Sequence, residues 1–503
     1  MSIVSQQFWI FSVILTILYF VVPKKYQWIV LLGGNIYFYY QSGMTGLLLL
    51  TGSVFIAYLA ALELEKTEDK KRKKMICSLA VIIIAGIWIV FKYTRFILNG
   101  LLRGSLNQLL NIQEIDWVLP LGISFYTFHL LGYLLDVYHK RCLAEKNYAK
   151  LFTFIAFFPH IIQGPFSRFH TLSDSLFAEH SFSCDRIGEG AARILWGLFK
   201  KLIIADKLRI ATNGIIASYA EHSGLYLFLG MVLYSIELYA DFSGYMDIVC
   251  GLSHIWGIEM DENFRNPYFA ESIEEFWRRW HITLGAWFRD YLFYPLSMSK
   301  PALTLSKIVR KRWGSKPGKL VPALYALFFV WTATGLWHGA DWSYLVWGWL
   351  NMLAIASTMC LNGFYETIKN KLHISCTGKF WTLLCILRTF ILVCLFRFFS
   401  IGLSLRKSVR LIRHAVRHLF TLDTIALDTL FIGVERLQIY IVLIGILVML
   451  MIDILQEKGR WDRTKQKCPM ILKDLIYASL IILLILMTGD SSDLTGGFLY
   501  EHF

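Results

Sequence analysis

A chain of 503 residues that is 56% hydrophobic and 17% charged is not an ordinary soluble protein, in which about a quarter of the residues are charged. Its net charge of +14 would point to nucleic acid in a soluble chain, but here the cations sit in short loops between apolar runs, as the positive-inside rule predicts, so no nucleic-acid partner is expected. The nine cysteines are scattered, many inside apolar runs (Cys77, Cys250, Cys385, Cys394), with no CxxC pair and no zinc-like spacing, so neither disulfides nor a metal site are expected.

Residues 8–22 are apolar. No positive region precedes them and no small-residue cleavage site follows, so they read as a first span rather than a signal peptide. A short span at 27–40 ends in Tyr37-Phe-Tyr-Tyr40, an interfacial aromatic belt. The span 44–63 leads into Glu65-Lys-Thr-Glu-Asp-Lys-Lys-Arg-Lys-Lys74, a basic run read as a cytoplasmic topology anchor. The span 75–98 crosses outward, the loop 99–116 carries one Arg and no Lys, and the span 117–137 returns to the basic Tyr138-His-Lys-Arg141. The stretch 152–165 is apolar but short and holds two prolines, so it reads as re-entrant and cavity-lining.

Residues 171–187 are polar and read as surface. A helix at 188–212 carries Lys200, Lys201, Asp206 and Lys207. The long span at 225–253 holds Glu237, Asp241 and Asp247, which must face protein or water rather than lipid. An amphipathic stretch at 258–280 precedes a second broken segment, 281–295, and residues 300–319 are basic. Spans at 321–337 and 342–361 are divided by His338-Gly-Ala-Asp341, and further spans lie at 380–403, 428–454 and 470–488. Arg406–His418 reads as a basic amphipathic helix on the membrane surface. The fold class is an all-α polytopic membrane protein with about eleven or twelve spans and two or three broken segments. No stretch is long enough for a separate soluble domain.

Two histidines stand out, each preceded by Trp and each inside or beside an apolar run. His338 is flanked by Gly335 and Gly339. A neutral imidazole there could act as a general base, because its ordinary pKa lies near working pH, or it could simply cap a helix; the pattern alone leaves both open. His281 follows Arg278, Arg279 and Trp280. Those arginines could hold an anionic group, yet a cytoplasmic cluster with a chance histidine explains His281 equally well. Asp241 and Asp247 are six residues apart and point in roughly opposite directions on a helix, so they suit structural hydrogen bonding rather than a carboxylate pair. Asp136 reads the same way, His139 and Cys142 lack further metal ligands, and Gly489-Asp-Ser491 reads as a chance match to a hydrolase motif.

The set Pro159-His-Ile-Ile-Gln-Gly-Pro165, Tyr239-Ala-Asp-Phe-Ser-Gly-Tyr-Met-Asp247, Asn263-Phe-Arg-Asn-Pro-Tyr268, Phe276-Trp-Arg-Arg-Trp-His-Ile-Thr-Leu284 and Gly335-Leu-Trp-His-Gly339 resembles the membrane-bound O-acyltransferase (MBOAT) superfamily. Its nearest resemblance is to the bacterial branch that includes alginate O-acetylation and teichoic acid D-alanyl transfer proteins. The resemblance implies a single membrane domain over 1–503, with a motif core at 117–361 and C-terminal spans at 380–488. It implies a ring of helices around a central tunnel, with His338 as the essential histidine and His281 as the second. Arg278, Arg279, Trp280, Trp337, Asn263, Gln163 and Asp241 fall in or beside these motifs and are expected to meet donor or substrate. The implied reaction moves an acyl group, acetyl first, from acetyl-CoA or a carrier protein's phosphopantetheine to a hydroxyl outside the cytoplasm. No permanent cofactor is implied. The implied setting is the bacterial cytoplasmic membrane, with an extracytoplasmic SGNH-like partner and a polysaccharide acceptor. The rivals are D-alanyl transfer to teichoic acid, a transporter of lipid-linked glycan, and a scaffold without chemistry.

Overall fold

The computed structural model describes residues 1–97, 119–371, 378–419, 421 and 430–488. The loop 99–116 and Gly489-Asp-Ser491 lie outside the described residues. Among those described, the elements are helices and no strand occurs. Eight helices are long and apolar enough to cross a membrane: Met44–Lys66, Lys70–Thr94, Gly224–Ile255, Ser315–His338, Trp342–Lys371, Lys379–Arg397, Arg436–Glu457 and Met470–Met487. The chain is a multi-pass membrane protein. The spans read at 8–22, 27–40 and 117–137 are also helices, Gln6–Val21, Gln27–Tyr40 and Ile123–Tyr138, of 16, 14 and 16 residues. At 1.5 Å per residue they reach roughly 21–24 Å, short of a ~30 Å hydrocarbon core. The helix read at 188–212 is interrupted: Cys184–Leu198 passes into a π-helical turn, Phe199–Ala205, before Asp206–Ala217.

Two compact units are distinguished. The first comprises Met1–Leu198 and Tyr245–Asp261. Its core is aromatic: Phe8, Phe11, Phe38 and Trp256 pack around Phe158 at centroid separations of 5.2–6.0 Å. Phe158 begins the broken segment expected at 152–165. Helix Tyr148–Ile155 stops at Ala156, and a single turn, Phe158–Ile161, follows Pro159's constraint on the backbone. The segment is buried throughout, so its interrupted backbone needs partners from protein. Asn35 supplies them: its amide nitrogen donates to the Thr153 carbonyl at 3.2 Å, and its oxygen accepts from the Phe158 N–H at 3.1 Å. The chain then reverses so tightly that a Cβ on Gly164 would lie 2.1 Å from the His160 Cα. Asp136 is buried near the end of its helix and meets Arg141 at 3.3 Å and Arg168 at 3.8 Å, the structural role read for it.

The second unit comprises Phe199–Gly244 and the described residues from Glu262 on. Its organising feature is the hairpin of Ser315–His338 with Trp342–Lys371. The two helices touch backbone to backbone, because a Cβ on Gly335 would meet the Tyr344 carbonyl at 2.6 Å and one on Gly348 the Trp331 carbonyl at 2.5 Å. The glycines around His338 therefore serve helix packing. Leu405–Arg417 is the amphipathic helix read at 406–418, with Ser408, Leu411 and Ala415 buried and Arg406, Lys407, Arg410, Arg413 and Arg417 exposed.

Replacing Asn35 with Ala orphans one buried carbonyl and one buried N–H. Each orphan costs about 1–3 kcal/mol, so Asn35→Ala should lower the melting temperature of the detergent-solubilised protein by several degrees, measured by nanoscale fluorimetry. An unchanged melting temperature contradicts the role given to Asn35.

Candidate active site

His281 and His338 lie in the second unit, on separate elements, around one indole. The Trp337 ring is 5.9 Å from the His281 ring and 4.9 Å from the His338 ring. Both histidines are buried, at 2% and 5% exposure. Trp347 closes against His338 at 4.9 Å and Phe242 against His281 at 4.8 Å. Trp277 extends the box, 5.5 Å from Trp347, and its indole N–H donates to the Asn351 side-chain oxygen at 2.9 Å.

Each histidine is fixed by its local backbone. His338 is the last residue of its helix. Three residues on, Asp341 accepts from the Ser343 N–H at 2.8 Å, starting the next helix, and from the Leu405 N–H at 3.2 Å. His281 has no helix of its own and adopts a left-handed conformation, φ 49° and ψ 51°, which a non-glycine residue holds only under constraint from its surroundings. That constraint is a short antiparallel bridge between Phe264 and Trp280, closed by Arg265 N–H to Arg279 O at 2.9 Å and Ile282 N–H to Asn263 O at 3.0 Å.

Asn263 also sets the tautomer. Its Oδ1 accepts from the Thr283 N–H at 3.1 Å, and an N–H can only donate, so this atom is the amide oxygen. Nδ1 of His281, 3.3 Å from the same oxygen, must then donate, which leaves the lone pair of the neutral ring on Nε2. Burial holds this imidazole far below its ordinary value, at about 3, so it is neutral at pH 7.

The remaining residues singled out by sequence divide sharply. Trp280, Trp337 and Asn263 are buried among the histidines. The arginines beside His281 are already engaged: Arg278 is exposed and pairs with Glu274, while Arg279 meets Glu275 at 2.6 Å and Glu457 at 2.9 Å. Asp241 belongs to a buried ionic network, with Lys201 at 2.7 Å and Arg209 at 3.1 Å; Lys201 also meets Asp206 at 2.9 Å. Glu237 joins through Arg209 at 3.5 Å and Thr212 at 2.6 Å. In the first unit, Asp247 pairs with Arg193 at 2.9 Å.

Gln163 lies in the first unit, fully buried, and among the described residues neither its amide nitrogen nor its oxygen has a hydrogen-bond partner. Near it in sequence, His160 stacks on His129 at 4.2 Å with ring planes 17° apart. His129 donates from Nδ1 to the Phe125 carbonyl at 3.0 Å if that nitrogen carries the proton. This histidine pair was not foreseen: His129 is a lone histidine on an apolar helix, which carries no signal without its partner.

Comparison with known proteins bears on this arrangement. The family described as MBOAT, membrane-bound O-acyltransferase family, matches residues 145–310, a stretch that holds His281 but not His338. A protein named probable alginate O-acetylase from Azotobacter vinelandii is 32% identical over 364 residues, 70% of this chain and 68% of its own. The chain belongs to the membrane-bound O-acyltransferase family. Another protein named probable alginate O-acetylase, from Pseudomonas syringae pv. tomato, is 34% identical over 352 residues, 69% of this chain and 64% of its own. A peptidoglycan O-acetyltransferase from Helicobacter pylori is 28% identical over 355 residues, 65% of this chain and 63% of its own. The chain thus spans a little under two thirds of the Pseudomonas and Helicobacter relatives. In this family member no group of three or more His, Cys, Asp or Glu residues suited to a metal ion occurs among the described residues.

The neutral His281 gives a pH signature. Unfolded histidine takes up a proton near pH 6.5 that the folded site refuses until about pH 3, so the stability it contributes is complete above 6.5 and is lost as pH falls. The slope approaches about 1.4 kcal/mol per pH unit below 6. Thermal unfolding followed from pH 7 to pH 5 should therefore show a shallower acid loss for His281→Gln than for wild type. Parallel curves contradict a buried neutral imidazole.

Proposed function

We propose that this MBOAT family member transfers an acyl group, acetyl first, from a thioester to a hydroxyl of an extracytoplasmic polysaccharide or of a partner protein. What carries the reading is the enclosure of two histidines from separate elements around one indole, in the family whose name describes O-acyl transfer. Acetyl is preferred because the relatives reported above are named for O-acetylation of alginate and peptidoglycan.

In the proposed step, His338 takes the proton of the acceptor hydroxyl as its oxygen bonds to the acyl carbon. The carbon–sulfur bond then breaks, and the departing thiolate recovers that proton from the imidazolium. His281 presents an Nε2 lone pair when neutral, so it suits accepting a hydrogen bond from the acceptor hydroxyl or from an amide of the donor. It cannot donate to an oxyanion from that atom. The Trp337 indole, which only donates and lies between the two rings, suits that task. Gln163 stays a candidate contact for a polar ligand in its own unit. An acyl carrier protein fits as an alternative donor, because the exposed arginines of Leu405–Arg417 complement an acidic surface. An SGNH-like partner outside the cytoplasm and a site in the bacterial cytoplasmic membrane complete the proposal.

The test is turnover of radiolabelled acetyl-CoA by reconstituted protein with a polysaccharide acceptor. His338→Ala should lower label transfer by about 10²–10⁴-fold while melting like wild type. Full transfer by a correctly folded His338→Ala protein overturns the base assignment. Transfer of D-alanine from its carrier in preference to acetyl overturns the choice of acyl group.

A further inference from the structure

Arg397 is the last residue of helix Lys379–Arg397, in the same unit as the two histidines, and it is 3% exposed. Its guanidinium lies over the Trp280 ring, 5.3 Å from the centroid, directly before His281 in sequence. Among the described residues, Nε and Nη2 have no hydrogen-bond partner, and no carboxylate pairs with the side chain. This sets it apart from Arg209, Arg278 and Arg279, each of which holds a glutamate or aspartate. Cation–π attraction to Trp280 and the negative end of its own helix favour a positive charge here, but neither accepts hydrogen bonds from the guanidinium edge. A buried cation with unmet donors is costly unless something anionic completes it.

The surroundings carry the same signature. Thr389, two turns back on the same buried face, has a hydroxyl with no partner. So does Ser400, whose backbone N–H bonds the Arg397 carbonyl at 2.9 Å and whose own carbonyl accepts from Tyr234 at 3.3 Å. A fixed polar stretch therefore faces inward with guanidinium and hydroxyl donors unmet. A guanidinium fork matches the oxygens of a phosphate or carboxylate. Phosphate has more oxygens than carboxylate to meet donors on both Arg397 and Ser400. It is also the charged group common to coenzyme A and phosphopantetheine thioesters.

We infer that Arg397 is a phosphate-binding residue beside the histidine site. Its ligand is the phosphate of the acyl donor or the headgroup phosphate of a lipid. The donor source rests on the acyl-transfer reading; phosphate binding itself does not. The donor anchor expected of Arg278 and Arg279 thereby moves to the arginine that has no carboxylate.

The experiment measures binding, without turnover, to purified protein in neutral detergent and in nanodiscs. Coenzyme A is compared with pantetheine, which lacks phosphate, and phosphatidylglycerol discs with digalactosyldiacylglycerol discs, whose headgroup lacks phosphate. Arg397→Gln should weaken coenzyme A binding at least tenfold and leave pantetheine binding unchanged, while Arg397→Lys keeps part of the difference. Loss confined to the stabilisation by phosphatidylglycerol supports phosphate binding and gives the lipid as its source. Equal loss of coenzyme A and pantetheine binding marks a merely structural arginine and overturns the proposal. So does a folded Arg397→Gln protein that responds to coenzyme A and phosphatidylglycerol like wild type. If Arg397→Gln does not fold, the Lys variant decides: coenzyme A and phosphatidylglycerol responses both equal to wild type overturn the proposal, and selective weakening of either supports it. Arg397-dependent coenzyme A binding without any acyl turnover would leave this inference standing while the acyl-transfer reading failed.

Discussion

In an interior rich in Phe, Leu and Ile, a buried polar group left without a partner is costly, and the partnerships that are made decide where helices break and where side chains stand. Asn35 pays the backbone cost of the interruption between Thr153 and Phe158. Asp341 ties the start of one helix to the segment entering another. Lys201, Asp206, Arg209, Glu237 and Asp241 form one mostly buried ionic network. Removing one member of such a set strands the others, so it works as a fixed joint rather than as a source of net stability.

The two histidines illustrate two ways of meeting that constraint. His338 inherits its position from a helix hairpin that closes only because Gly335 and Gly348 have no side chain. His281 is held outside helical geometry by a single backbone bridge, and Asn263 fixes both its ring and its proton. Under the proposed reaction, rigid supports of this kind would hold the site in place without reorganisation. Trp337, Trp347 and Phe242 wall the two rings with apolar surface, and a low-dielectric surrounding strengthens each remaining polar contact.

Much of this was legible in the sequence because the signals are local. Apolar runs gave the long helices, the prolines at 159 and 165 marked the broken segment, and the Trp-His pairs marked two buried rings that meet the same indole. Distant partners were not legible. Arg278 and Arg279 look alike beside His281, and nothing local tells that Glu457, some 178 residues away, has engaged Arg279. Helix spacing assigns Asp241 to structural hydrogen bonding and the resemblance sets it against substrate, but neither names Lys201 and Arg209 as its partners. Arg397 closes an apolar span and resembles a topology anchor; only its burial over Trp280 separates it from one. The short helices Gln6–Val21 and Gln27–Tyr40 were legible for the same reason as the long ones, since each follows its apolar run almost residue for residue.

The central claim is that His281 and His338 act in one site across Trp337. A kinetic double-mutant cycle tests it most directly, with acyl transfer measured for wild type, His281→Ala, His338→Ala and the double variant, all checked for native melting. Residues that act as a unit are strongly non-additive, so the double variant should be little slower than the slower single variant. Losses in the double variant that multiply, as for independent residues, would contradict a shared site.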